Sequence, residues 1–200
     1  MKAMSALSLL SLALLGQPLA SAVELSLGER EIVAFVGGTN VGHAQEDGSL
    51  EAMLTQVFAR KAPVFRDMSW DADTVYRQGS VIERWRKNGF GDRVEQLGGQ
   101  KITLVIAQFG RLESMEGEER LEDFANAYER LIDDYLKQAK QVVVVAPFPF
   151  EQPASPLLPD LTVHNPSLAL YVGKIRNMAA ERKLVLIDLF TGGPRGWTEN

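Results

Sequence analysis

A hydroxyl set at the tip of a strand is the first feature of the sequence with chemical potential. The stretch Arg30 to His43, REIVAFVGGTNVGH, begins as a buried strand and breaks at Gly37-Gly38-Thr39-Asn40. Two uses fit such a break. One is a tight turn that needs glycine, with Asn40 tolerant of left-handed geometry. The other is a site that displays Thr39, whose Oγ becomes a nucleophile when a base takes its proton. Three further segments carry polar groups after apolar runs: QFGRLES at 108–114, PFPFEQ at 147–152 and DLFTGGPRGWTEN at 188–200.

Other chemistries are poorly served. GGTNVG lacks the lysine of a phosphate-binding P-loop and the glycine spacing of a dinucleotide turn, although a helix N-terminus there remains open to an anion. His43 and His164 are the only histidines and the chain has no cysteine. Neither histidine has a second ligand at metal-site spacing, so no metal or other cofactor is expected. Several polar residues have plain structural uses. Glu113 and Ser114 can start a helix, Asp71 and Asp73 suit a solvated turn, and Asp188 can cap a helix. Trp70, Trp85 and Trp197 suit packing.

The elements that must position these residues follow from the hydrophobic pattern. Continuous apolar runs at Ile32–Val36, Ile102–Ala107, Val142–Ala146 and Leu184–Ile187 read as strands covered on both faces. A short strand fits Phe65–Met68. Apolar residues at helical spacing mark Leu50–Phe58, Leu121–Leu136 and Leu168–Ala180, and a further helix fits Val81–Lys87. The proline-rich stretch Pro147–Pro166 reads as a long loop. Alternating strands and helices predict an α/β domain with a parallel sheet and right-handed crossovers. Ligands bind such sheets outside the carboxyl ends of the strands, which places the segments above on one rim.

The 200 residues are 46% hydrophobic and 24% charged, with a net charge of -5 and a sequence pI near 5.2. No basic cluster marks a nucleic-acid surface, so none is expected as a partner. Lys2, the apolar run Ala6–Leu15, Pro18 and Ala20-Ser21-Ala22 have the layout of a secretory signal peptide over residues 1–22, with cleavage after Ala22. No later run is long enough for a transmembrane anchor. Without cysteine, stability rests on core burial.

Over residues 23–200 the chain resembles the SGNH/GDSL hydrolase family. FVGGTN is similar to the Gly-Asp-Ser block, with Gly37 kept, Gly38 in the aspartate position and Thr39 in the nucleophile position. FRDMSWDADTVYRQ is similar to the second block, with Arg66 and Asp67 at its start and Ser69 or Ala72 in the glycine position. FGRLES resembles Gly-x-Asn-Asp, with Gly110 kept, Leu112 in the asparagine position and Glu113 in the aspartate position. Pro147 and Glu151 fall in a proline turn of the same kind.

The resemblance implies a three-layer α/β/α flavodoxin-like fold and an exported hydrolase of acyl esters, on small molecules or on envelope or extracellular glycans. It implies Thr39 as nucleophile, and an oxyanion site and cleft drawn from Gly37, Gly38, Asn40, Ala72, Gly110, Leu112 and Glu113. The closing Asp-x-x-His block would put its aspartate at Asn200 and its histidine three residues later. The chain is therefore expected to be C-terminally incomplete, without that general base or the last helix. Threonine for serine and leucine for an amide donor predict impaired catalysis, or a non-catalytic ligand- or glycan-binding domain derived from such a hydrolase.

Overall fold

The structure, a computed structural model, describes Leu25 and residues 27–46, 48–76 and 93–192. The stretch 1–22 expected to be a signal peptide, the helix expected at Val81–Lys87, and Trp85, Trp197 and Asn200 lie outside the described residues. Strands β1 (Ile32–Gly37), β2 (Val64–Asp67), β3 (Leu104–Gln108), β4 (Gln141–Ala146) and β5 (Val185–Asp188) form one sheet in the order β2-β1-β3-β4-β5. Every pairing is parallel. This is the flavodoxin-like order, whose reversal point lies between β1 and β3. There the register sets Gly37 opposite Gln108, so the two strands end together.

The helices are α1 (Thr39–Glu46), α2 (Ser49–Val57), α3 (Arg93–Gly99), α4 (Leu121–Gln138), α5 (Asn165–Glu181) and the short α6 (Leu189–Gly192). Because side chains alternate across a strand, each strand serves two cores. Val36, Val105, Ala107, Val142 and Val144 face the larger one, which Phe124, Tyr128 and Ile132 of α4 and Leu168, Tyr171 and Ile175 of α5 complete. Val33, Phe35, Leu104 and Val143 face the smaller one with Val41 of α1 and the partly buried Leu50, Leu54 and Phe58. Burial on both faces explains why the sequence shows unbroken apolar runs, and the three layers are those expected.

Some details differ from the sequence reading. Only one apolar row of α2 packs, and Met53 and Val57 are 55% and 67% exposed. The third strand begins at Leu104, while Ile102, already buried, leads into it. The proline-rich stretch is irregular only as far as Leu161. A single turn at Thr162–His164 follows, and α5 begins at Asn165 with Pro166 in its first turn, where a missing N–H costs nothing. Helices α1 and α3 have weak sequence signals, since both contain glycine and neither has a long apolar stripe.

Candidate functional site

Thr39 is the first residue of α1, directly beyond the end of β1. The two glycines before it are required by close approach. Neither has a positive φ. A Cβ on Gly37 would lie 2.5 Å from the Gln108 carbonyl oxygen and 2.5 Å from Val41 Cγ2, and one on Gly38 would lie 3.0 Å from the Asp73 carbonyl oxygen. Asn40 is helical, so its left-handed tolerance is unused. The glycines thus let two neighbouring loops close over the strand end.

The first of those loops follows β2. Met68 N–H donates to the Phe35 carbonyl and Trp70 N–H to the Gly37 carbonyl, carrying the pairing past the strand. Asp67 Oδ1 accepts the Ser69 N–H at 2.9 Å and its hydroxyl at 2.6 Å, which turns the chain. Arg66, exposed, donates to the carbonyl of its neighbour Phe65. Of the two residues considered for the glycine position, Ala72 has the left-handed conformation, with φ 57°. Its N–H donates to Thr39 Oγ1 at 3.0 Å.

The second loop follows β3. Gly110 has φ 106°, and a Cβ there would crowd Ile175 Cδ1 at 3.1 Å and Phe124 Cζ at 3.3 Å. Glu113, 2% exposed, accepts the Gly110 N–H on Oε2 at 2.8 Å and the Val75 N–H on Oε1 at 2.9 Å. Burial pushes its carboxyl above the ordinary value, the backbone N–H groups of Glu113, Val75 and Gly110 oppose that shift, and Asp73 adds to it. Glu113 is therefore a staple between the two loops. The expected use of Glu113 and Ser114 as a start for the following helix is corrected: they open a single turn, Glu113–Glu116, and Ser114 Oγ donates back to the Arg111 carbonyl at 2.8 Å.

Between these loops lies a cleft of about 310 Å³ lined by Gly38, Thr39, Asn40, Ala72, Leu112 and Glu113, together with Asp73, Gln108, Phe109, Arg111, Met115, Phe150 and Leu161. The structure thus brings six of the expected site residues into one wall. Gly37 and Gly110 shape the backbone behind it. Leu112 is 43% exposed and offers no donor. Asp71 is exposed, as expected of a turn carboxylate, whereas Asp73 belongs to the cleft.

Two contributors were not legible in the sequence. Arg111 donates through Nη1 to Asn40 Oδ1 at 3.2 Å, and its guanidinium lies 4.6 Å from the centre of the Phe150 ring. Asn165 holds that ring's backbone in place, accepting the Phe150 N–H at 2.7 Å and donating to its carbonyl at 2.9 Å. The Asn-Pro pair at the start of α5 was the available signal. His164 packs beside Phe150 with ring centres 6.0 Å apart, and His43 lies on the exposed side of α1, 3.9 Å from Glu46. Asp188 has the capping use considered for it. Its Oδ1 accepts the N–H groups of Phe190 and Thr191, and its Oδ2 faces Arg176.

The arrangement sets a hydroxyl and a backbone N–H 3.0 Å apart on one wall of the cleft, the two kinds of group that acyl chemistry uses as nucleophile and oxyanion donor. No protein-family profile and no curated protein sequence matches the chain. Solved structures do match in fold. An α/β hydrolase enzyme, LAE5, from the metagenome of Lake Arreo, Spain, superposes with a TM-score of 0.61 at 13% identity, over 84% of this chain and 81% of its own. A tryptophan-to-isoleucine variant of Axe2, an acetyl xylan esterase from Geobacillus stearothermophilus, gives 0.59 at 16% identity, over 84% and 80%. A catalytic histidine mutant of Axe2 gives 0.60 at 15% identity, over 83% and 79%. Other matching structures are catalytic mutants of the same esterase at a serine and at an aspartate. The fold inferred from the sequence blocks is therefore the observed one, shared with esterases at low identity.

Proposed function

We propose that the protein is an exported, SGNH-type ester hydrolase whose cleft takes acyl esters of small molecules or of envelope or extracellular glycans, and whose turnover is impaired. The observation that carries this reading is the 3.0 Å contact between Thr39 Oγ1 and the Ala72 N–H, made between the first residue of α1 and the loop after β2 at the carboxyl end of the sheet. Thr39 Oγ bonds to the acyl carbon as its proton passes to solvent water, and the carbonyl π electrons move onto the oxygen, which the Ala72 N–H turns from the hydroxyl to meet. The tetrahedral carbon then expels the alcohol, which takes a proton from water, and a further water cleaves the acyl-threonine to release the acid. The fold of acetyl xylan esterase supports the ester, and residues 1–22 support export.

Impairment follows from the same residues. The branched Cβ of Thr39 restricts the hydroxyl. Leu112 stands where an amide would donate, and losing one such donor costs about two to three orders of magnitude in rate. Hydrolysis of p-nitrophenyl acetate above the buffer rate is expected, lost in Thr39→Ala and raised in Thr39→Ser. An unchanged rate in Thr39→Ala would remove Thr39 as nucleophile. The second reading, a non-catalytic glycan-binding domain, is favoured by the apolar Leu112 in the oxyanion wall. It predicts no turnover in any of the three proteins but saturable binding of acetylated xylo-oligosaccharides.

A further inference from the structure

Arg111 is the cleft residue that the ester chemistry leaves unused. Its guanidinium has five N–H donors, one of which meets the neutral Asn40 Oδ1, and its Nε is buried without a hydrogen-bond partner. Burial lowers its pKa from the ordinary arginine value, opposed by the charge of Glu151. Among the described residues, no salt bridge joins Arg111 to that exposed carboxylate or to another. Glu113 in the cleft wall does not neutralise it either, since both its oxygens are spent on backbone N–H groups. Around the cation the wall is apolar, with Phe150 beneath it and Leu112, Met115 and Leu161 nearby. A half-buried guanidinium short of acceptors favours an anion that can approach in its plane.

Its position relative to the hydroxyl matters. Arg111 is bonded to the side chain of Asn40, the residue that directly follows Thr39. We propose that Arg111 binds a carboxylate carried on the ester substrate close to the acyl group, so that the cleft selects acidic esters over neutral ones. A planar carboxylate can accept from two guanidinium N–H groups together. The carboxylate can belong to an acylated uronic acid in a glycan or to the half-ester of a small dicarboxylic acid. This assignment rests on the ester-binding reading above and adds the charge of the substrate.

The test measures binding, so it does not depend on turnover. Calorimetric titration of the full chain in low-salt buffer would compare methyl hydrogen succinate with dimethyl succinate, and O-acetyl galacturonic acid with O-acetyl galactose. At least one acidic ligand is expected to bind about tenfold or more tightly than its neutral counterpart. The pair that shows the difference identifies the small or the glycan source. The preference is expected to vanish in Arg111→Met and to fall in Arg111→Lys, which keeps charge without the planar fork. Thermal unfolding of both variants checks that they fold, and the lysine variant carries the test if the methionine variant does not. Equal affinities in both pairs, a preference retained in Arg111→Met, or methyl phosphate bound more tightly than either carboxylate would overturn the proposal. Absence of hydrolysis together with an Arg111-dependent preference would remove the esterase reading and leave this one standing.

Discussion

At the scale of single residues, the cleft separates side chains that build the site from those that would react in it. Glu113 builds. Its carboxylate is buried, and both oxygens accept backbone N–H groups, one from each loop. In Glu113→Gln one acceptor becomes an amide N–H that faces a backbone N–H, leaving donors opposed in a buried place. A loss of about 1–3 kcal/mol in stability is expected, read from the shift in urea midpoint. The family correspondence put Glu113 at a position of interest, but it could not show that the carboxylate would close a loop. Hydrogen bonds to residues 38 positions away depend on the tertiary path of the chain. Arg111 was hidden for the same reason, since its partners Asn40 and Phe150 come from α1 and from the loop after β4.

At the scale of elements, strands were legible and their connections much less so. Val142–Ala146 is apolar because both faces of β4 are covered, and that pattern needs no knowledge of the neighbours. The starts of α1 and α5 are instead tied to other loops, Thr39 accepting from Ala72 and Asn165 pairing with Phe150. Asp188 shows how such contacts act at a strand end. Burial pushes its carboxyl up, but bonds from Arg176 and Thr191 outweigh that and hold it below the ordinary value. A lowered folded pKa means stability that is present above the unfolded value and lost as pH falls through the folded one. Asp188→Asn is therefore expected to be less stable than wild type near neutrality. The gap should close on acidification below about pH 4, followed by thermal unfolding across a pH series.

At the scale of the whole molecule, the sheet divides two unequal cores. The α4–α5 side encloses Phe124, Tyr128, Ile132, Leu168, Tyr171 and Ile175 at 0% exposure. The α1–α2 side relies on partly buried residues of α2. Ile175→Ala is expected to cost about 2–5 kcal/mol through lost burial and the cavity left behind. Val57→Ala, on the exposed row of α2, should stay within about 0.5 kcal/mol. Denaturant titration of both variants checks the contrast, and similar losses would contradict the layer assignment. Met53 and Val57 fall within the apolar spacing of Leu50–Phe58, yet periodicity does not show which row of a helix meets the sheet. No helix among the described residues is long and apolar enough to cross a membrane.

Gly38 makes the two changes toward a Gly-Asp-Ser turn unequal. An aspartate introduced there would bring its Cβ to 3.0 Å from the Asp73 carbonyl oxygen, on a segment tied through Val75 to Glu113. Replacing Thr39 by serine needs no such movement. The nucleophile can therefore change freely, whereas the aspartate requires the Asp73 backbone, on a loop pinned to Glu113, to give way slightly.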